Sequence, residues 1–175
     1  MSNIFETETK IKQIIDELKA LSAQAGLANQ GEEERIITSV FLYKFLNDKF
    51  MYNLSKFAEE IGETIEEILK NENDELDAFY DTTSGDVAFG YEDTIQYLIN
   101  HVEQADFYKQ FDDALVRIAQ NTRNDIFAVE TAEGSYSPLF EPISTPVEPS
   151  NRNNFAKNIF GIIAQDKFDF SSAFA

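Results

Sequence analysis

Few residues of this chain could take part in chemistry, and they do not form a catalytic pattern. The 175 residues include one histidine, His101, and no cysteine. A single histidine without cysteines cannot supply the usual ligands of a zinc site. As a general base it would need a nucleophile and an orienting partner, to which the sequence does not point. We therefore interpret His101 as a structural residue and predict no catalytic, metal-binding or cofactor-binding residues.

Two further patterns resemble known sites only in part. Gly26 and Gly31, like Gly85 and Gly90, have the spacing of a phosphate-binding loop, but neither pair is followed by the Lys and Ser/Thr that hold phosphates. The acidic run 71–77 lacks the central Gly and the closing Glu of a calcium loop. We expect glycine turns and a solvated helix end at these positions.

Five basic residues remain as candidates for contact with DNA or with a protein partner: Lys44, Lys49, Lys56, Arg117 and Arg123. On a helix, Lys49 and Lys56 are two turns apart and nearly in line. The alternative for Lys44 and Lys49 is that they extend from a buried helix, or pair with Asp48 and neighbouring acids.

The net charge of −18 opposes binding to a phosphate backbone unless the charges are segregated. Residues 59–93 contain 13 acidic residues and one basic residue, Lys70, which gives a local charge of −12. Most of the acidity therefore belongs to this acidic stretch (residues 59–93), and the rest of the chain is closer to neutral.

Apolar residues recur at helical spacing along most of the chain, which predicts an all-α bundle of five to seven helices in a single domain. All four prolines lie between 138 and 149, so we expect a Pro-rich irregular segment near 135–150 that packs through Tyr136 and Phe140. A short strand is expected within 126–129. The predicted helices cover about 7–24, 32 into the fifties, 91–102, 107–118 and 151–165. A capping box at 64–67 opens a further helix with Ile65, Ile68, Leu69 and Leu76 facing inward.

The segment 36–50 is apolar nearly all the way round a helix, which predicts a helix buried at the centre of the bundle. If Phe41 is a core residue, Phe41→Ala is expected to lower the free energy of unfolding by about 3–5 kcal/mol. For residues 71–90 we expect a frayed helix end followed by a loop. The asparagines in 151–154 are expected to cap the last helix.

Three segments together resemble one protein family. The helix 36–50 closes with Phe45-Leu46-Asn47-Asp48-Lys49-Phe50. A second segment, 111–121, reads Phe-Asp-Asp-Ala-Leu-Val-Arg-Ile-Ala-Gln-Asn, and a third runs through 154–163 and ends in Phe168-Asp169-Phe170. In order and approximate spacing they are similar to the N-terminal helical domain of the DNA-methylating subunit of type I restriction-modification systems.

The resemblance implies a non-catalytic helical module that helps the subunit close on DNA and meet the specificity subunit or a second methylating subunit. The adenine-methylating domain, which binds S-adenosylmethionine and presents Asn-Pro-Pro-Phe/Tyr to a flipped adenine, is then expected after residue 175. The 175 residues contain no Asn-Pro dipeptide and no Gly-x-Gly, so the chain alone is not expected to methylate DNA. The absence of cysteine fits a reducing cytoplasm, where we expect the protein, and the longest apolar runs are far too short for a membrane span. No cofactor is expected in this chain.

Two other interpretations remain open. A small, acidic, cysteine-free helical protein could be a complete DNA mimic that blocks a restriction enzyme, since spaced carboxylates can imitate phosphates. The acidic stretch supports that interpretation, whereas the lysines of 36–50 do not. The chain could also be an unrelated helical adaptor.

Overall fold

A computed structural model describes residues 2–28, 31–70, 74–127, 129–130, 136–165 and 170. The architecture is an all-α bundle, as predicted, and the described residues form seven α-helices joined by loops and 3₁₀ turns. Val129–Glu130 (β1) and Tyr136–Ser137 (β2) form one short antiparallel pair in which Val129 lies opposite Ser137. The helices are α1 Ser2–Gln24, α2 Gly31–Ile61, α3 Ile65–Lys70, α4 Asp74–Thr82, α5 Ile95–Leu98, α6 Phe107–Gln120 and α7 Arg152–Ile163.

Helix α2 is the long central helix, but only one side of it is fully buried. The core-facing side includes Ile36, Val40 and Tyr43, which are inaccessible to solvent or nearly so. Phe41 and Phe45 on another side are half-buried, with the Phe170 ring 5.9 Å and 6.2 Å from their ring centroids. The segment 36–50 is thus buried at the centre of the bundle on its core-facing side, whereas neighbouring elements cover the Phe41 side only in part.

A chain of aromatic rings joins the elements that meet at the centre. The Tyr43 ring of α2 lies 5.2 Å from Phe111 of α6, and Phe111 lies 4.8 Å from Phe160 of α7. Phe140 of the Pro-rich segment contacts Tyr43 at 6.4 Å. Each of the three segments named in the resemblance contributes a ring to this one core.

The capping box at the start of α3 is present. Thr64 Oγ1 accepts the Glu67 backbone N–H at 3.1 Å, and the Glu67 carboxylate accepts the Thr64 N–H at 3.0 Å. Beyond it, the prediction of a frayed end and loop is wrong for 74–82, which forms α4. Phe79 drives this helix into the core, where its ring packs 5.6 Å from Phe50. Residues 71–73 of the calcium-loop-like run lie outside the described residues.

The predicted helix 91–102 is broken into a 3₁₀ turn (Tyr91–Asp93), α5 and a second 3₁₀ turn (Ile99–His101). Thr94 is extended, at φ −81° and ψ 153°, and its hydroxyl accepts the Tyr97 N–H at 3.2 Å. Asn47 of α2 accepts the Ile95 N–H at 2.9 Å. Side chains thus take the backbone donors that a continuous helix would have used, and the helix restarts at Ile95.

The Pro-rich segment is irregular over 138–148, as predicted, and it packs through buried Phe140, Ile143 and Val147. The Tyr136 side chain and residues 166–169 and 171–175 lie outside what the structure describes. Of the described residues in 126–129, Ile126 and Phe127 lie in a 3₁₀ turn and Val129 lies in a strand. Asn153 caps α6 rather than its own helix, because its Oδ1 accepts the Tyr108 N–H at 3.1 Å.

Candidate functional site

The polar residues of segment 36–50 make buried contacts. Lys44 Nζ lies 2.9 Å from Asp48 Oδ2, and both side chains are 6% exposed. The same carboxylate oxygen accepts the Phe170 backbone N–H at 3.1 Å. Lys44 is therefore paired with Asp48 inside the protein, as the alternative in the sequence analysis states. It presents no free charge to a ligand.

Asn47 is a structural residue that the sequence analysis did not single out. Its carboxamide is fully buried; Oδ1 accepts the Ile95 N–H, and Nδ2 donates to Gln96 Oε1 at 3.2 Å. One turn earlier, the Tyr43 hydroxyl donates to the Asp93 carbonyl at 2.7 Å, and burial raises the pKa of that phenol well above its ordinary value. These contacts attach α2 to the turn at 91–95. Two sequence signals point to these residues: the spacing of four between Tyr43 and Asn47 on one side of α2, and the position of Asn47 in the segment 45–50 that carries the resemblance.

The other lysine candidates on α2 lie nearer the solvent. Lys49 Nζ is 2.8 Å from Asp86 Oδ1, and its side chain is 37% exposed. Lys56 is exposed, and its Nζ lies 4.4 Å from the centroid of the Tyr52 ring. Within the described residues Lys56 has no carboxylate partner, so it is the lysine of this pair with charge available for a phosphate.

Both arginine candidates pair with acids of the acidic stretch. Arg117 Nε donates to Asp93 Oδ1 at 2.8 Å. Arg123 lies 3.2 Å from Asp81 and 3.5 Å from Asp77, and its guanidinium carbon is 4.9 Å from the centroid of the Tyr80 ring. The fold thus brings the two arginines, and Lys49 of α2, to acids of the acidic stretch, whereas Lys44 pairs within α2.

A cleft of about 890 Å³ opens between α3, α4, the turn at 90–93 and α6. Its floor is formed in part by buried Leu69, Leu76 and Asp93. We call it the tyrosine cleft, because two half-buried tyrosines line it. Its lining is Leu69, Lys70, Leu76, Asp77, Tyr80, Gly90, Tyr91, Glu92, Asp93 and Arg117.

The electrostatics of the tyrosine cleft are dominated by carboxylates. Burial raises the pKa of Asp93, while the Arg117 guanidinium and the Gly90 N–H act in the opposite direction. Lys70 is paired with Glu66, which raises the lysine pKa, and its Nζ lies 6.0 Å from the Tyr91 ring centroid. Glu92 is exposed and makes no ion pair with any described residue. The described residues that line the cleft include no Ser, Thr, Cys or His.

Asp112 fixes the Pro-rich segment to α6. Its Oδ1 accepts the N–H groups of Ile143 at 2.9 Å and Ser144 at 3.3 Å, and its Oδ2 accepts the Ser144 hydroxyl. Burial raises the pKa of Asp112, and these three hydrogen bonds counteract part of that increase. In the sequence, the position of Asp112 between the core residues Phe111 and Leu115 indicates a buried carboxylate that would need hydrogen-bond partners.

His101 has the structural environment expected of it. Its ring stacks on Tyr97 with centroids 4.2 Å apart, and Nδ1 lies 2.9 Å from the Tyr97 carbonyl oxygen. Among the described residues, no group of three or more His, Cys, Asp or Glu side chains could hold a metal ion. None of the described helices is long and apolar enough to cross a bilayer.

Comparisons of the chain with models of known protein families, with characterised proteins and with solved structures find no match.

Proposed function

We propose that this chain is the N-terminal helical module of the DNA-methylating subunit of a type I restriction-modification system. In this role it contributes to DNA engagement and to assembly with the specificity subunit and a second methylating subunit. It performs no chemistry itself, and S-adenosylmethionine belongs to the catalytic domain of the parent protein.

The observation that carries this proposal is that buried polar residues of the resembling segments hydrogen-bond to backbone groups distant in sequence. Asn47 and Asp48 are buried and bond to backbone N–H groups of Ile95 and Phe170, which are distant in sequence. Asp112, in the second segment, binds the backbone of Ile143 and Ser144. Polar residues at buried positions are costly unless they are hydrogen-bonded. A shared pattern that includes them therefore points to a shared fold more strongly than an apolar pattern would.

The decisive experiment uses the protein made from the full reading frame together with its specificity subunit. We expect an Asn-Pro-Pro-Phe/Tyr motif downstream of residue 175 and methyl transfer from S-adenosylmethionine to adenine in plasmid DNA. Deletion of residues 1–175 should abolish methyl transfer while the remaining domain still binds the cofactor. A reading frame without such a motif, or full activity after the deletion, would refute the proposal.

A stand-alone DNA mimic is the second candidate function. Acidic side chains crowd together in the acidic stretch, and a hydrogen bond between the Glu63 and Glu75 carboxyl groups raises the pKa of Glu63. Inhibition of DNA cleavage by a type I restriction enzyme at equimolar concentrations of this chain would favour the mimic. In that case, neutralising Glu66 and Glu67 on α3 should weaken the inhibition. Unimpaired cleavage at large excess would exclude this function.

A further inference from the structure

The tyrosine cleft combines buried leucines and Asp93 at its floor with aromatic and acidic walls. Every lining residue except Arg117 belongs to the acidic stretch. Arg117 is balanced by Asp93 and Lys70 by Glu66. Asp77 and Asp81 share Arg123, and Glu92 makes no ion pair with any described residue, so the opening keeps a net negative charge. A phosphate backbone would be repelled there, whereas a cationic side chain would be attracted.

The chain itself shows twice how a cation is held at this cleft. Arg123 lies over the Tyr80 ring and pairs with Asp77 and Asp81. Lys70 lies near the Tyr91 ring and pairs with Glu66. In both cases a cation approaches a tyrosine face while carboxylates flank it, which is the arrangement of a cation–π interaction supported by ion pairs. The guanidinium group suits this arrangement best because it is planar and stacks on aromatic rings.

We infer that the tyrosine cleft binds an arginine-bearing basic segment of a partner protein, with a guanidinium held against Tyr91 and the carboxylates of Asp77 and Glu92. The buried Leu69 and Leu76 receive the aliphatic part of the arginine side chain. The volume of about 890 Å³ accommodates more than one side chain, so the segment is a short peptide stretch. This inference rests on the cleft alone and holds whether or not the chain belongs to a methylating subunit.

The test measures binding of a fluorescein-labelled hexa-arginine peptide to the full chain by fluorescence anisotropy at 0.15 M salt. The cleft variant carries Asp77→Asn and Glu92→Gln, both at exposed positions. The matched control carries Glu59→Gln and Glu60→Gln, which remove the same charge from exposed positions outside the cleft lining. We expect the cleft variant to lose at least about fivefold in affinity for hexa-arginine relative to the wild type. The control variant should lose less than about twofold.

A second variant tests the aromatic wall independently of charge. Tyr91→Leu keeps apolar volume but removes the ring face, so hexa-arginine binding should weaken about threefold. The circular dichroism spectrum of every variant must match that of the wild type. If the variant with Asp77→Asn and Glu92→Gln does not fold, the affinity of Tyr91→Leu for hexa-arginine decides the test.

Three outcomes would overturn the inference. The first is an absence of saturable hexa-arginine binding, and the second is an equal loss of affinity in the cleft and control variants, which would indicate general charge attraction. The third is tighter binding of hexa-glutamate or duplex DNA that is lost on Arg117→Gln, because that would make the cleft an anion site. None of these results bears on methyl transfer by the parent protein, so failure here is distinguishable from failure of the proposed function.

Discussion

Asn47 connects the central helix to the start of α5 at Ile95, and removal of its side chain should lower the free energy of unfolding. Asn47→Ala leaves the buried Ile95 N–H without its acceptor. We expect the free energy of unfolding to fall by about 1–3 kcal/mol, measured by urea denaturation. Asn100→Ala is the matched control, because Asn100 is exposed and donates only to its own turn, so its cost should stay below about 0.5 kcal/mol. Equal costs would show that the Asn47 bond does not stabilise the fold.

Asp112 should make stability depend on pH in a defined direction. Burial raises its pKa above the ordinary value despite the bonds from Ser144 and Ile143. An acid with a raised folded-state pKa adds stability below its unfolded pKa, and this contribution is lost as pH rises through the folded value. The free energy of unfolding of the wild type, minus that of Asp112→Asn, should therefore decrease as pH rises from about 3 to about 7.

The measurement is urea denaturation of both proteins at several pH values in that window. Asp113→Asn serves as the control, since Asp113 is the neighbouring carboxylate and is exposed. A difference that stays constant or increases with pH for Asp112→Asn would contradict the expected direction.

At the scale of elements, α6 depends on a cap that comes from α7. The Asn153 side chain accepts the Tyr108 N–H near the start of α6, whereas Asn151 makes no side-chain cap at the start of α7. Asn153→Ala should lower the free energy of unfolding by about 1 kcal/mol, the usual value of a lost cap. Asn151→Ala should change it by less than about 0.5 kcal/mol. Thermal unfolding of the two variants checks this, and the reverse ranking would place the cap on α7.

The aromatic chain through α2, α6 and α7 sets a second ranking. Phe111 is fully buried between Tyr43 and Phe160, so Phe111→Ala should cost about 3–5 kcal/mol. Phe41 is half-buried on the incompletely covered side of α2, and Phe41→Ala should cost less than about 2 kcal/mol. Chemical denaturation measures both, and a larger cost at Phe41 would mean that its side of α2 is covered in solution.

The sequence predicted those elements whose position depends on residues close together in the chain. Helix α6 followed from the spacing of Phe107, Phe111 and Leu115, and the start of α3 followed from its capping box. The break at Thr94 and the cap from Asn153 could not be predicted, because each depends on a side chain and a backbone N–H that meet through tertiary packing. The same applies to the candidate cations. The pairing of Lys44 with Asp48 is visible from their spacing of four, but that of Arg117 with Asp93 requires the fold.

For the whole molecule, charge and fold together limit what DNA binding is possible. The net charge is −18, and four of the five candidate cations pair with carboxylates, which leaves Lys56 as the one without a carboxylate partner among the described residues. One or two phosphate contacts give weak binding with a shallow dependence on salt. The isolated chain should therefore bind duplex DNA no more tightly than about 10⁻⁴ M.

Fluorescence anisotropy with a labelled duplex measures this affinity at low and physiological salt, and micromolar binding would contradict the expectation. If the proposed function holds, Lys56→Glu in the assembled methyltransferase should weaken DNA binding at low salt more than Lys19→Glu, a matched change at an exposed position of α1. Lys56→Glu is a sharper probe than Lys49→Glu, because Lys49 already pairs with Asp86 and its reversal would create a repulsive contact inside the module. If Lys56→Glu prevents assembly in the absence of DNA, Lys56 belongs to a protein interface instead.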